Sequence, residues 1–341
     1  MFLALGQVKE RGDKFVMLKI GLIGSDNSHV ERFSEVLNLT EHPAYWKDSG
    51  AKIWAIWGND QVRTEEGAKN GEIPIIGSSA EEVIDKCDLI FVVSRSADVH
   101  LEHARLVINA GKPLFVDKPP TQTPMQAKKL LALVDESKIP MTSFSTLRFG
   151  SASIDYERKL SQVGTVRYAT YLGPGSRINP YGGIIYYGIH IVELMLHFHG
   201  CDVSSITAVE NPVGHEQSNI SVTCQYSNGT LVNLVLIGDG MYLFHMLAVG
   251  SDGIAEVPVN VYNYTKDAKA KAQAEGHNVN LHISNSPVNT DHYEKGVRKV
   301  LEILTGQTDG VPHEEILRAV QVCAAIEKSL VDGKPIDPRL L

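Results

Sequence analysis

The chain has 341 residues, 43% of them apolar and 21% charged, with a net charge of -8, enough for a large core divided over two domains. That acidity argues against nucleic acid or an anionic membrane as a partner. Cys87, Cys201, Cys224 and Cys323 include no C-x-x-C pair and fit reduced cytoplasmic thiols better than a disulfide framework or a zinc site.

In chain order, Met1-Phe2-Leu3-Ala4-Leu5 is too short for a signal core and lacks a basic leader, and no later apolar run approaches a membrane span. Residues 1–17 read as a disordered extension. Leu18 to Gly24 reads as a strand entering a turn, and Val30, Phe33, Val36 and Leu37 give the following helix its apolar face. Lys52 to Trp57 is a second strand, ending at Gly58-Asn59-Asp60. Ser79-Ala80-Glu81-Glu82 is a capping box opening a short helix. Leu89 to Val93 is a continuous apolar run, as expected of a strand covered on both faces. Val99 to Ala110 is helical and stops at Gly111. Leu114-Phe115-Val116 is a strand, Pro124 to Ser137 a helix and Pro140 to Phe144 a strand. Strands alternating with helices predict an α/β fold with a doubly wound parallel sheet.

Two turns of that sheet carry candidate chemistry. The first is Gly24-Ser25-Asp26-Asn27-Ser28-His29, where a dinucleotide fingerprint wants glycine at 24, 26 and 29 and only the first is present. Asp26 would repel a pyrophosphate. Ser25, Asn27 and Ser28 can donate, and His29 can stack or donate from the helix N-terminus; the alternative is a polar turn that binds nothing. At the end of the second strand, neutral Asn59 tolerates a ribose 2′-phosphate better than an acid would, whereas Asp60 argues the other way. The balance leans to NADP over NAD. The second turn is Asp117-Lys118-Pro119-Pro120. Proline cannot continue a sheet ladder, so the chain leaves the sheet there, at the strand ends where ligands bind. Lys118 is a candidate for proton transfer to a substrate oxygen; the alternative is a solvated Asp–Lys turn.

These pieces together resemble the glucose–fructose oxidoreductase/inositol dehydrogenase (Gfo/Idh/MocA) family. The residues carrying the resemblance are Ile20-Gly21-Leu22-Ile23-Gly24, Ser94 to His100, and Ala110-Gly111-Lys112 leading into Asp117-Lys118-Pro119. Arg148-Phe149 follows, and then Gly182-Gly183 with Gly188, His190 and Glu193. The likeness runs from about Leu18 to Ile336. It implies a Rossmann domain over 18–145 and a substrate-binding α/β domain over 146–341 with an open, mainly antiparallel sheet that serves as an oligomer interface. A homodimer or homotetramer is expected. In the second half, Thr165–Leu172, Ser205–Val209, Ile220–Tyr226, Thr230–Ile237 and Tyr242–Val249 read as strands, with Ser227-Asn228-Gly229 a hairpin turn. Gly188 to His199, Thr290 to Leu304 and Glu314 to Leu330 read as helices. Residues 262–290 read as a long excursion beside the substrate opening or an interface.

The resemblance makes Lys118 and His190 the groups flanking the carbon that exchanges hydride with NAD or NADP. Hydride transfer is easier when the hydroxyl loses its proton concurrently. Tyr186 stands where the family has a carboxylate. It either forms an acid–base pair with Lys118 as a phenolate, or it packs with Tyr187 and leaves the site impaired. Ser94, Arg95 and His100 fall where the family contacts the nicotinamide side. Arg95 either binds a carboxylate or phosphate bidentately or is a surface arginine. Arg148, Asn179, Tyr181 and Tyr187 are candidate substrate-wall groups. His190, Glu193, His197 and His199 invite a metal reading, but zinc helices place two histidines four apart, so no metal is expected. The function expected is an NAD(P)-dependent oxidoreductase acting on a secondary hydroxyl of a sugar or polyol. The alternatives are a non-redox sugar-ligand or regulatory relative, and a lyase or glycosidase using NAD through transient oxidation.

Overall fold

The computed structural model describes residues 17–238, 244–259 and 291–341; the expected N-terminal extension, the 262–290 excursion and Tyr242 lie outside them. The first sheet is built from β1 (Leu18–Ile23), β2 (Ala51–Trp57), β3 (Ile75–Ile76), β4 (Leu89–Val92), β5 (Leu114–Val116) and β6 (Met141–Thr142). Its strands lie side by side in the order β3-β2-β1-β4-β5-β6, with every pairing parallel. The order reverses between β1 and β4, and there β1 ends in a tight turn. Gly24 has φ +105°, and a Cβ on it would stand 2.3 Å from the backbone nitrogen of Ser94.

Helices α1 (His29–Leu37), α2 (Gln61–Asn70), α3 (Ala80–Lys86), α4 (His100–Asn109) and α5 (Pro124–Ser137) cover the sheet. Their starts follow their sequences. Thr123 caps α5 in a complete capping box with Gln126, and Asp60 caps α2 by accepting from the Arg63 N–H; each such cap contributes about 1 kcal/mol. The box expected at Ser79 is half formed. Ser79 accepts from the Glu82 N–H, while the Glu82 carboxylate turns one residue further back, to the Ser78 N–H.

A 3-10 turn at Thr146–Phe149 and α6 (Ser151–Leu160) lead into the second sheet. It comprises β7 (Val166–Pro174), β8 (Val203–Asn211), β9 (Asn219–Tyr226), β10 (Leu231–Ile237), β11 (Phe244–Gly250) and β12 (Ile254–Val259), in the order β12-β11-β7-β10-β9-β8. All pairings are antiparallel except β7 with β10, which run parallel. β3, β12, α2 and α6 had no counterpart among the elements expected from the sequence. α7 (Ile184–His199) is nearly all buried on the inner face of this sheet.

The last two long helices are shared between the domains. Val297, Val300, Leu301 and Leu304 of α8 (His292–Leu304) join the core around the first sheet. α9 (His313–Asp332) begins against that core at Ile316 and continues into the second through Val320, Val322 and Ile326. No helix among the described residues is long and apolar enough to cross a membrane.

Candidate active site

The C-terminal ends of β4, β5 and β6 meet the N-terminal half of α7 across a cavity of about 700 Å³, within the usual range for small-molecule sites. Lys118 reaches it from the tip of β5, and the Lys118–Pro119 peptide is cis. The Lys118 side chain is 7% exposed. Its ammonium lies 5.6 Å from the ring centre of Tyr186 and 5.9 Å from that of Tyr187. Both tyrosines line the cavity with His190 and Arg95.

Asp117 does not serve Lys118 through its side chain. Its Oδ2 accepts from Asn27 Nδ2 and lies 2.5 Å from His29 Nδ1, and its Oδ1 accepts the Lys118 backbone N–H. Burial alone would raise this carboxyl. The neighbouring His29 and Lys118 outweigh it and hold Asp117 below the ordinary carboxylate range.

α7 starts after Gly182 and Gly183, both at positive φ, which lets the chain enter the helix directly beside Lys118. His190 lies two turns in, its Nδ1 2.6 Å from Ser145 Oγ. Burial, with the charge of Lys118 behind it, holds this imidazole well below its ordinary value, hence neutral. Glu193 accepts the Ser145 N–H at 2.5 Å. Its burial lifts the carboxyl to about 7 against the opposing pull of Arg148. Tyr186 departs from the phenolate expectation. Burial and the adjacent Tyr187 push its phenol up, and the nearby Arg95 does not reverse this. Tyr186 can therefore donate a proton in a hydrogen bond but is not a base at neutral pH.

Several expected site residues lie elsewhere. Arg148 is buried away from the cavity, its Nη2 2.8 Å from both Glu315 Oε1 and His197 Nδ1. Asn179 folds its own loop, donating to the Ser176 and Gly183 carbonyls and accepting from the Tyr181 N–H. Tyr181 accepts from Arg95 Nη1 at 3.1 Å and stacks on Tyr186, supporting the wall from behind. His100 is fully buried, with Nδ1 on the Pro119 carbonyl and Nε2 on the Ser94 carbonyl, both at 2.8 Å. It ties the β4 tip to the β5 tip and is a strut. Ser94 turns its hydroxyl to His103. Asn59 is exposed and outside the cavity lining. The polar groups of α7 are dispersed: His197 faces Arg148, and His199 Nε2 bonds Tyr171. Among the described residues no three His, Cys, Asp or Glu are grouped to hold a metal ion.

Ser145, Thr146, His292 and Arg32 were not among the expected site residues. Thr146 Oγ1 bonds His292 Nδ1 at 2.8 Å, and both line the cavity with Arg32. Ser145 and Thr146 lie within four residues of the end of the last parallel strand, so the rule that sheet ends bear ligands points to them. His292 had no local signal, because it enters the site from far along the chain.

A dinucleotide at this site meets an altered phosphate cradle. Ser25 is buried against Gly58 and accepts from Thr64 Oγ1. Asp26 accepts the Arg95 N–H at 3.0 Å. The N–H groups of His29 and Val30, which would greet a phosphate, are taken by Asn27 Oδ1 and the Asn27 carbonyl. Side-chain donors toward the cavity include the Ser28 hydroxyl and the Arg95 guanidinium. Those groups, with Gly24 preserving the turn, fit an anionic dinucleotide.

A 3-2-1-4-5-6 parallel sheet bearing a buried lysine at its ligand-binding end, backed by a second α/β domain, defines a two-domain protein of the Rossmann class. Residues 18–143 match the model of the Gfo/Idh/MocA oxidoreductase family, described as having an NAD-binding Rossmann fold. Over these residues the chain is similar to that family. Its curated relatives include the uncharacterized oxidoreductase YhhX of Escherichia coli K12, 29% identical over 152 residues, and the putative oxidoreductase YceM of Salmonella typhimurium, 26% identical over 150. The matches take in 40% and 44% of this chain, and the chain spans less than half the length of each relative, 44% and 46%. Among solved structures, a putative myo-inositol dehydrogenase from Sinorhizobium meliloti 1021 superimposes with TM-score 0.75 at 16% identity, over 94% of this chain and 99% of that one. A scyllo-inositol dehydrogenase from Lactobacillus casei, solved with NAD(H) and scyllo-inositol, does so with TM-score 0.75 at 14% identity, over 95% and 99%. At these identities the likeness is one of fold, and it extends through both domains.

Proposed function

We propose that this protein is an NAD(P)-dependent oxidoreductase that moves a hydride between nicotinamide and a secondary hydroxyl or ketone of a sugar, polyol or derivative. The observation that carries the reading is the Lys118 ammonium. It is buried in the wall of the cavity, among the described residues no carboxylate lies within ion-pair distance and no hydrogen bond reaches the ammonium, and neutral His190 lines the same space. An unpartnered buried cation is costly unless a ligand completes it, and a hydroxyl acquiring alkoxide character is such a ligand. When bound, the nicotinamide supplies the hydride acceptor or donor. Lys118 then holds the reacting oxygen, and the Tyr186 phenol and His190 fix neighbouring hydroxyls. Arg95, braced by Tyr181, is suited to a phosphate or carboxylate.

For the finer choice of cofactor, Asp60 is committed to capping α2 and Asn59 is neutral and exposed, which favours NADP. A homodimer or homotetramer through the second sheet is supported by its outer face, where Leu172, Val235, Leu247 and Val249 are only half-buried; light scattering measures it. Four cysteines without a disulfide among them accord with a cytoplasmic location.

The test is fluorescence titration with NADH and NADPH, followed by oxidation assays on a panel of inositols, sugars and sugar acids. Lys118→Met should keep its fold and lose at least about 100-fold in kcat. A wild type that binds neither dinucleotide, or a Lys118→Met variant as active as wild type, overturns the reading.

A further inference from the structure

Two histidines line the cavity in opposite electrostatic settings. His190 bonds a hydroxyl, Ser145 Oγ, and a proton added to it would be a buried charge beside Lys118. His29 is the first residue of α1 and stands at the position where a dinucleotide turn usually has its last glycine. Its Nδ1 lies 2.5 Å from Asp117 Oδ2, and the two side chains are 10% and 1% exposed. An ionised carboxylate only accepts hydrogen bonds, so Nδ1 carries a proton, and a ring without a second proton presents its lone pair at Nε2. Phe33 and Tyr293 hold the ring, at 5.2 and 5.5 Å between centres. Nε2 has no hydrogen-bond partner among the described residues, and His29 lines the cavity with Lys118 and His190.

We infer that His29, oriented by Asp117, is the group that exchanges a proton with the substrate hydroxyl. The inference rests on the oxidoreductase reading and gives its proton a destination. In oxidation the O–H bond breaks and its proton moves to His29 Nε2. The C–H bond breaks with its electron pair leaving as hydride to an oxidised nicotinamide, and the carbonyl π bond forms. Reduction reverses each transfer. Lys118 as an ammonium has no lone pair to receive that proton; it stabilises the oxygen as its charge grows. Asp117 stays ionised and stabilises the imidazolium, as a carboxylate does when it orients a catalytic histidine. The other titratable groups facing His29 are Lys118 on the β5 tip, His190 on α7, His292 and Tyr293 on α8, and Arg32 on its own helix. Asp117 alone among the described residues is in direct hydrogen-bond contact with the His29 ring.

The experiment compares His29→Ala, His29→Gln and Asp117→Asn with wild type, using NADH for binding and whichever member of the polyol panel the wild type oxidises. Each variant should lose about 100-fold or more in kcat, with NADH affinity within about threefold of wild type. Added imidazole should restore rate to His29→Ala and none to Lys118→Met. Nitrogen-15 NMR of histidine-labelled protein gives a readout free of turnover. His29 should show the Nδ1–H tautomer in wild type and lose it in Asp117→Asn. A kcat within threefold of wild type, a loss confined to NADH affinity, or an Nε2–H tautomer overturns the inference. Failure of the panel in wild type removes the oxidoreductase reading instead, and the tautomer then decides the dyad alone.

Discussion

Replacing Glu193 by Gln should change how stability depends on pH, and the size of the change follows from the site. Glu193 is 5% exposed, and its carboxyl is raised from 4.5 to about 7 by burial, which outweighs Arg148 and the Ser145 N–H. The folded state therefore holds this proton through a window in which the unfolded chain has released it. The stabilisation from the raised value is fully present below pH 4.5 and is lost as pH rises through 7. At 1.36 kcal/mol per pH unit, the loss is on the order of 3 kcal/mol. Buried His190, His197, His199 and His292 are all depressed and act in the opposite sense, since their stabilisation is lost as pH falls through their folded values. The wild-type profile is thus a sum, and the difference between Glu193→Gln and wild type isolates one group. Urea unfolding at pH 4.5, 6 and 8 should show the variant gaining about 3 kcal/mol relative to wild type across that range. A constant difference at all three values would refute the argument that Glu193 is protonated in the fold near neutrality.

Gly24→Ala should be severely destabilising, by about 3 kcal/mol or more, because it combines φ +105° with a Cβ 2.3 Å from the Ser94 nitrogen; a melting temperature near that of wild type would contradict the close approach of β1 and β4. Arg148→Met should cost about 3–5 kcal/mol by stranding the Glu315 carboxylate. The KM of the residual folded enzyme should hold, whereas a selective rise in KM would return Arg148 to the substrate wall.

The parallel sheet was legible because its strands are uninterrupted apolar runs punctuated by Gly24, Gly111 and Pro119, signals that are local. The placement of Lys118 and His190 on one cavity was legible for the same reason, each sitting in a short motif with constrained backbone. The partners of these residues were not. Asp117 turns to His29 across 88 positions, and Thr146 meets His292 across 146; no periodicity encodes such a meeting. Polarity also misled where a side chain is polar for structural reasons. Arg148, Asn179 and His100 each spend their hydrogen bonds on holding backbone or on a buried ion pair, which a sequence cannot distinguish from a group reserved for a ligand. Tyr186 stood open between a phenolate paired with Lys118 and a phenol packed on Tyr187, and burial, which raises the phenol, weighs against the first.

The way α8 and α9 return to the first domain has a consequence for how the molecule can be divided. A fragment ending at residue 145 would contain every strand of the parallel sheet, yet it would leave bare the apolar surface that Val297, Val300, Leu301 and Leu304 cover. Such a fragment would be prone to self-associate through that surface. The two halves are sewn together at both ends of the second, by the connection through Ser145 and Thr146 and again by α8. With two covalent crossings between the halves, relative motion of the domains has no single pivot.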